Sequence, residues 1–262
     1  MCAILAIFRL LTIALIVIVG TTLLFLLYPL QAERAAKWLF TKLRKVLLGV
    51  LGVRVHGPTW EKVPAGLIMA NHRSYLDVLF VPTESPITFV AKKEVKSWPL
   101  IGQAATALGT LWVKRENQES RRLAREAIVK AVLKGKRIVL FPEGTSWEGP
   151  KMLPLKPAMF FECAQHGLPI YIWSLHYTSG KAAYPIGVGF LKNLWTLLRE
   201  PSLEVYTDIR PMPLVHTSGE VMIAEAQEWW AQSLSRLYQQ HPVADELYWQ
   251  DNRITSGEFP RL

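Results

Sequence analysis

The sequence predicts an α/β domain carried behind an N-terminal membrane element. Three observations lead there. Twenty-one uncharged residues run from Leu10 to Leu30. From Gly52 onward, short apolar runs alternate with stretches of helical period, the mark of an α/β fold. Two of those runs break abruptly into polar, turn-forming loops, at Asn71 and at Pro142. At 262 residues the chain is long enough for one large domain with a full core.

The first element is the run LLTIALIVIVGTTLLFLLYPL. A helix of about 20 apolar residues crosses a bilayer core, so its length suffices. A cleaved signal peptide fits less well, because the run is too long and no small-x-small site follows it. After the run come Arg34, Lys37, Lys42, Arg44 and Lys45 against Glu33 alone, and before it only Arg9. By the positive-inside rule the C-terminal side is cytoplasmic. In a bacterium an uncleaved anchor of this orientation belongs to the inner membrane, with the main domain facing the cytoplasm.

The second element is residues 34–51, where Trp38, Leu39, Leu43, Val46, Leu47 and Val50 recur at helical spacing between basic residues. Such a helix lies in the membrane interface with its cations near lipid phosphates; a core helix of the soluble domain is the competing reading. Spanning the bilayer and a two-helix hairpin within one leaflet both fit this pattern. The chain divides into a membrane element, 1–51, and a main domain, 52–262.

In the main domain the spacing predicts strands over 66–70, 87–91, 110–113, 137–141, 170–177 and 203–209. Helices are predicted over 117–134, 157–166 and 220–240. The first of these carries the apolar stripe Leu123, Ala124, Ala127, Ile128 and Ala131, and Gly135 stops it.

Composition narrows the partners. Thirty Lys and Arg against 21 Asp and Glu give a net charge of +9, which suits an anionic partner. No zinc-ligand spacing and no interleaving of aromatic with basic residues is present, so nucleic acid is excluded in favour of membrane phospholipid. Two cysteines, Cys2 and Cys163, make no disulfide framework, and Cys163 within an apolar helix reads as a buried, inert thiol.

Ligands of α/β sheets collect at the carboxyl ends of strands, which makes the two loops the candidate site. The first reads Asn71-His72-Arg73-Ser74-Tyr75-Leu76-Asp77. Histidine accepts a proton near neutral pH, and a carboxylate can fix its tautomer. Five positions put His72 and Asp77 about 140° apart on a regular helix, so they meet only if His72 sits in the turn before the helix. Ser74 or Asn71 is then the cap. The second loop offers Glu143, Gly144 and Thr145 after a proline, where glycine lets backbone approach a ligand and N–H and hydroxyl groups suit a phosphate. Each loop alone is equally an ordinary strand-to-helix turn.

Together, Asn-His, four residues, then Asp, followed by Phe141-Pro142-Glu143-Gly144-Thr145, resemble the glycerophospholipid acyltransferase superfamily, and within it the 1-acylglycerol-3-phosphate (lysophosphatidic acid) acyltransferases. The resemblance runs from about Gly52 to Ile209. It takes in Val90-Ala91-Lys92-Lys93-Glu94, Pro99, Gly102, and Gly109-Thr110-Leu111-Trp112-Val113-Lys114-Arg115. It also takes in Leu168-Pro169-Ile170. The resemblance implies a mixed β-sheet flanked by helices, with an N-terminal two-helix membrane element. It implies His72 as general base on the acceptor hydroxyl, Asp77 as its orienter, and Arg115, Glu143, Gly144 and Thr145 as binders of the glycerol phosphate. The acyl donor implied is acyl-CoA or acyl-carrier protein, the product phosphatidic acid, and no metal or bound cofactor takes part.

The chain departs from that family in three places. Lys114 stands where an acidic residue usually precedes the arginine. Ser146 follows Thr145 where an arginine is usual, and Trp173 replaces a second proline of the last block. The form Glu-Gly-Thr-Ser, with Gly149 and Leu-Pro-Leu-Lys, also resembles relatives that acylate lyso-ornithine lipid. Lys114, Lys151 and Lys156 are candidates for the charge that the arginine would have carried.

The cluster Lys92, Lys93, Lys96, Arg121, Arg122 and Arg125 is a candidate for the donor's phosphates or acidic carrier, or a solvated helix face. No Gly-x-Ser-x-Gly elbow is present. A non-catalytic lipid-binding membrane protein is the reading of a different class.

Overall fold

A computed structural model describes residues 2–27, 33–58, 63–81, 87–98, 101–114, 117–148, 152–185, 187–212 and 218–245. Two helices come first, α1 (Cys2–Leu27) and α2 (Glu33–Leu51), and then the α/β domain. Its strands are β1 (Val53–His56), β2 (Gly66–Ala70), β3 (Thr88–Lys92), β4 (Leu111–Val113), β5 (Arg137–Leu140), β6 (Ile170–Tyr177) and β7 (Leu203–Pro211). Its helices are α3 (Ile101–Ala107), α4 (Gln118–Leu133), α5 (Ala158–His166), α6 (Phe190–Leu198) and α7 (Gly219–Gln240).

Among the described residues these strands form one sheet in the order β1-β7-β6-β2-β5-β3-β4. β6 and β7 pair antiparallel and the other neighbours pair parallel, so the sheet is mixed. The central strands are apolar on both faces because both faces are covered. Leu67 and Met69 of β2 meet α4, α5 and α7 with Ile138, Phe160 and Trp230. Ile68 and Ala70 point the other way, to a core with Trp173, Leu175, Leu197 and Leu198, to which α1 adds Ala6.

The predicted bounds of β2 and β6 agree with the structure, and those of β3, β4, β5 and β7 agree to within two residues. β1 and α6 carried no such expectation. β1 is a four-residue edge strand with three exposed positions, so it shows no apolar run. Cys163 is buried, and burial pushes its thiol up to about 12.

α1 and α2 fold back on each other as a hairpin that lies along the domain. Gly20 and Leu43 mark their close approach; a Cβ on Gly20 would come within 2.5 Å of the Leu43 side chain. At one end Arg9 donates from Nη2 to Pro201 O at 3.0 Å and from Nη1 to Leu198 O at 3.3 Å and to Glu200 O. These are carbonyls at the C-terminus of α6, which a helix leaves without internal partners. At the other end Leu24 and Ala36 pack with Ala107 and Leu108. Lys37 reaches Thr88 Oγ1 at 3.2 Å and Arg44 reaches Val81 O at 3.2 Å.

Candidate active site

β2 and β5 are parallel neighbours, with Met69 opposite Leu140. Their carboxyl ends release the loops at Asn71 and Phe141 side by side, although some 70 residues of chain separate them. β6 flanks β2 on its other side with Ala70 opposite Trp173, and continues to Tyr177. The longer strand makes a wall beside the first loop.

Asn71 extends the β2 ladder with its side chain. Its Nδ2 donates to Leu175 O at 2.9 Å, and its Oδ1 accepts from Leu175 N at 2.7 Å. Both are buried bonds, so the amide replaces a backbone unit where β2 stops. The cap falls to Ser74: its backbone is extended (φ −151°, ψ 158°) and its Oγ accepts from Leu76 N at 3.3 Å. Tyr75–Leu79 then form a single 3-10 turn, which places Asp77 in its first turn and leaves His72 before it.

His72 Nδ1 lies 2.7 Å from Asp77 Oδ2. The same oxygen accepts from Arg73 N at 2.7 Å and Ser74 N at 3.0 Å. The other oxygen, Oδ1, accepts from the Tyr177 hydroxyl. Asp77 is fully buried at 0% exposure, whereas the His72 side chain keeps 20%. A carboxylate among four donors is acceptor-only, so Nδ1 carries the hydrogen and Nε2 the lone pair. The imidazole is stacked on Phe141, with ring centroids 4.1 Å apart and planes at 17°, which holds its second degree of freedom.

Glu143 joins the two loops. Its Oε1 accepts from His72 N at 2.7 Å and its Oε2 from Leu153 N at 2.7 Å. Burial holds this carboxyl above its ordinary range, against the opposing pull of Arg73 and of the two backbone N–H groups. Trp147 N returns a bond to His72 O at 3.0 Å. Gly144 has φ +76°, and a Cβ there would meet Lys156 Nζ at 2.6 Å, so the Lys156 stem crosses over the loop. Thr145 is half-buried in the same loop. Ser146 donates to Tyr184 O at 2.5 Å.

Sequence reasoning therefore expected the His72–Asp77 pair and its turn, and the structure brings both loops together. Arg115 and Lys151 lie outside the described residues. Lys114 is exposed at the carboxyl end of β4, on the same sheet edge as the two loops and beyond β3. In the basic cluster, Arg122 pairs with Glu119 and Glu126, and Arg125 with Glu162 at 3.1 Å. Those two arginines thus serve helix faces. Tyr177 was missed, since its role depends on β6 outlasting β2. Behind Tyr177 a cavity of about 20 Å³, bordered by Arg73, Glu148 and His176, has room for about one water and none for a lipid chain.

This geometry can hold a neutral imidazole with an outward lone pair beside the second loop. Residues 52–175 match the family model described as Acyltransferase. This segment is similar to acyltransferase domains. It contains both loops and ends within β6. The chain is 32% identical over 196 residues to a lyso-ornithine lipid O-acyltransferase of Rhizobium meliloti, covering 66% of this chain and 65% of the relative. It is 29% identical over 163 residues to a 1-acyl-sn-glycerol-3-phosphate acyltransferase of Neisseria gonorrhoeae, covering 60% and 64%. The chain thus spans slightly under two thirds of the length of these relatives. In fold, the α/β domain and its helical hairpin resemble the LPA acyltransferase PlsC of Thermotoga maritima. That match has a TM-score of 0.68 at 19% identity and covers 89% of this chain and 95% of that one.

Proposed function

We propose that this chain transfers a fatty acyl group from a thioester to the free hydroxyl of a lysolipid, using His72 as general base and Asp77 to orient it. The observation that carries the reading is the Nδ1–Oδ2 contact of 2.7 Å, with Asp77 buried and His72 open to its surroundings. Nε2 of His72 takes the hydroxyl proton as the lipid oxygen attacks the thioester carbonyl. A C–O ester bond forms, the C–S bond breaks, and the proton passes to the departing thiolate. Asp77 favours the imidazolium formed in between. Glu143 braces the second loop, whose Gly144 N–H is turned inward to Phe141 O at 3.0 Å, and in this reading Gly144 lets the acceptor headgroup approach the backbone while Thr145 offers its hydroxyl. Arg115 joins them in this reading, and acyl-CoA or acyl-carrier protein supplies the acyl group without any bound cofactor.

Lysophosphatidic acid is the acceptor named for the Neisseria gonorrhoeae relative. One observation favours lyso-ornithine lipid instead: Ser146 stands where the phosphate-binding arginine is usual, and its hydroxyl is engaged by Tyr184 O. Offering both lysolipids to the purified chain, each with acyl-CoA and with acyl-carrier protein, separates these acceptors. Product from neither lipid with either donor overturns the proposal.

The hairpin supports insertion into one leaflet rather than a span. α1 is roughly 40 Å long by its 26 residues, and the domain grips it near both ends, through Arg9 and through Leu24. A helix crossing the bilayer would carry one of those contacts to the far side. The face opposite Ala6, Arg9 and Gly20 exposes Ile4, Phe8, Leu11, Leu15, Ile18 and Phe25. That stripe is the membrane contact in this reading.

A further inference from the structure

We infer that α6 is a second membrane-docking helix, which seats the catalytic domain on the same leaflet as the α1 stripe, next to His72. The inference extends the one-leaflet reading of α1 and adds a surface that no expectation from the sequence included.

α6 is fixed from inside. Asn193 is fully buried and donates from Nδ2 to Ala183 O at 2.7 Å, while Leu197 and Leu198 join the core. Its C-terminal carbonyls are held by Arg9 of α1, so the two helices are latched together. The outer face of α6 has a different composition. Leu191 is 77% exposed, Phe190 48% and Trp195 37%. At about 100° per residue, Leu191 and Trp195 lie within about 40° of each other, and Arg199 and Lys192 follow on the same side. Both basic residues are exposed.

An exposed apolar pair containing tryptophan, bordered by cations, is the pattern of a helix lying at the level of lipid headgroups. A water-facing role leaves Leu191 and Trp195 without reason. Continuity decides the occupant: α6 packs directly on α1, whose own outer face is apolar from Ile4 to Phe25. The net charge of +9 suits the anionic surface of a phospholipid leaflet.

The consequence reaches the site. Phe190 lies edge-on to Tyr75 at 5.2 Å and to Tyr184 at 6.4 Å, and Tyr75 is 5.4 Å from Tyr184. Tyr75 follows His72 by three residues, and Tyr184 N bonds to Arg73 O at 2.8 Å. An aromatic cluster therefore connects the lipid-facing helix to the histidine loop. With α6 in the leaflet, the loop is held at headgroup depth, where a lysolipid hydroxyl resides.

The test is nitroxide labelling of the full chain in phospholipid bilayers, in a Cys2→Ser background with Cys163 left buried. Labels go at Leu191→Cys on α6, Leu15→Cys on the α1 stripe, and Leu123→Cys on α4, a position expected in the apolar stripe that the structure leaves 51% exposed because Ala124, Ile128, Val129 and Val132 form the buried face. Collision rates with oxygen and with a water-soluble nickel complex report depth. The inference expects Leu191 to favour oxygen over nickel, as Leu15 does, with Leu123 showing the reverse. Leu15 in lipid and Leu191 in water overturns the docking of α6 while sparing the α1 reading. Both in water overturns the two together.

Discussion

Tyr177 donates its hydroxyl hydrogen to the one oxygen of the Asp77 carboxylate that His72 does not use. Burial and the neighbouring Asp77 charge hold this phenol well above its ordinary range, so it stays protonated as the donor to Asp77 at neutral pH. Tyr177→Phe keeps the ring and leaves Asp77 Oδ1 buried without that donor. The expected cost is about 1–3 kcal/mol of stability, read from denaturant midpoints. An unchanged midpoint means that the bond contributes nothing net.

Glu143 sets a pH dependence of known sign. Its folded-state value lies above the ordinary 4.5 because burial disfavours the charge. Its contribution to stability is therefore complete below that ordinary value and is lost as pH rises through the folded-state one. Glu143→Gln removes the titration. The stability of wild type relative to this variant is expected to be greatest at acid pH and to fall on going to neutral pH. A difference that is flat or rises with pH contradicts the assignment.

Arg9 is expected to behave as a latch and not only as a flanking charge. Arg9→Ala leaves the carbonyls of Leu198, Glu200 and Pro201 without their shared donor. Thermal inactivation in detergent is expected several degrees lower, equivalent to about 1–3 kcal/mol. Hydrogen exchange is expected to rise in the last turn of α6 while binding to membranes persists. Unaltered exchange in α6 sinks the latch.

The sequence carried those features that repeat or alternate. β2 and β6 are buried on both faces, so β2 is an apolar run and β6 is apolar apart from Ser174 and His176, and their limits were plain. The His72–Asp77 pair was legible through the resemblance that the two loops carry together, since either loop alone reads equally as an ordinary strand-to-helix turn; geometry added only that the pair must meet across a turn, and Ser74 supplied the cap. Asn71 was a second candidate for that cap; its bonds to Leu175 depend on β6 continuing where β2 stops, which local pattern does not encode. Tyr177 was hidden for the same reason, lying in a recognised strand with nothing to mark its end as part of a site. Arg9 looked like a lone flanking cation because its partners lie about 190 residues away. α6 was missed because FLKNLWTLL follows a turn-rich stretch and is only nine residues long. Long-range pairing, rather than propensity, decided the roles of Asn71, Tyr177 and Arg9.

The most direct test of the central claim is acyl transfer by His72→Ala against wild type, in equal amounts and with matching thermal midpoints, using whichever lysolipid wild type accepts. The account predicts a loss of about 100- to 10,000-fold in kcat, the usual range for a positioned general base. Activity within a few-fold of wild type contradicts the assignment of His72.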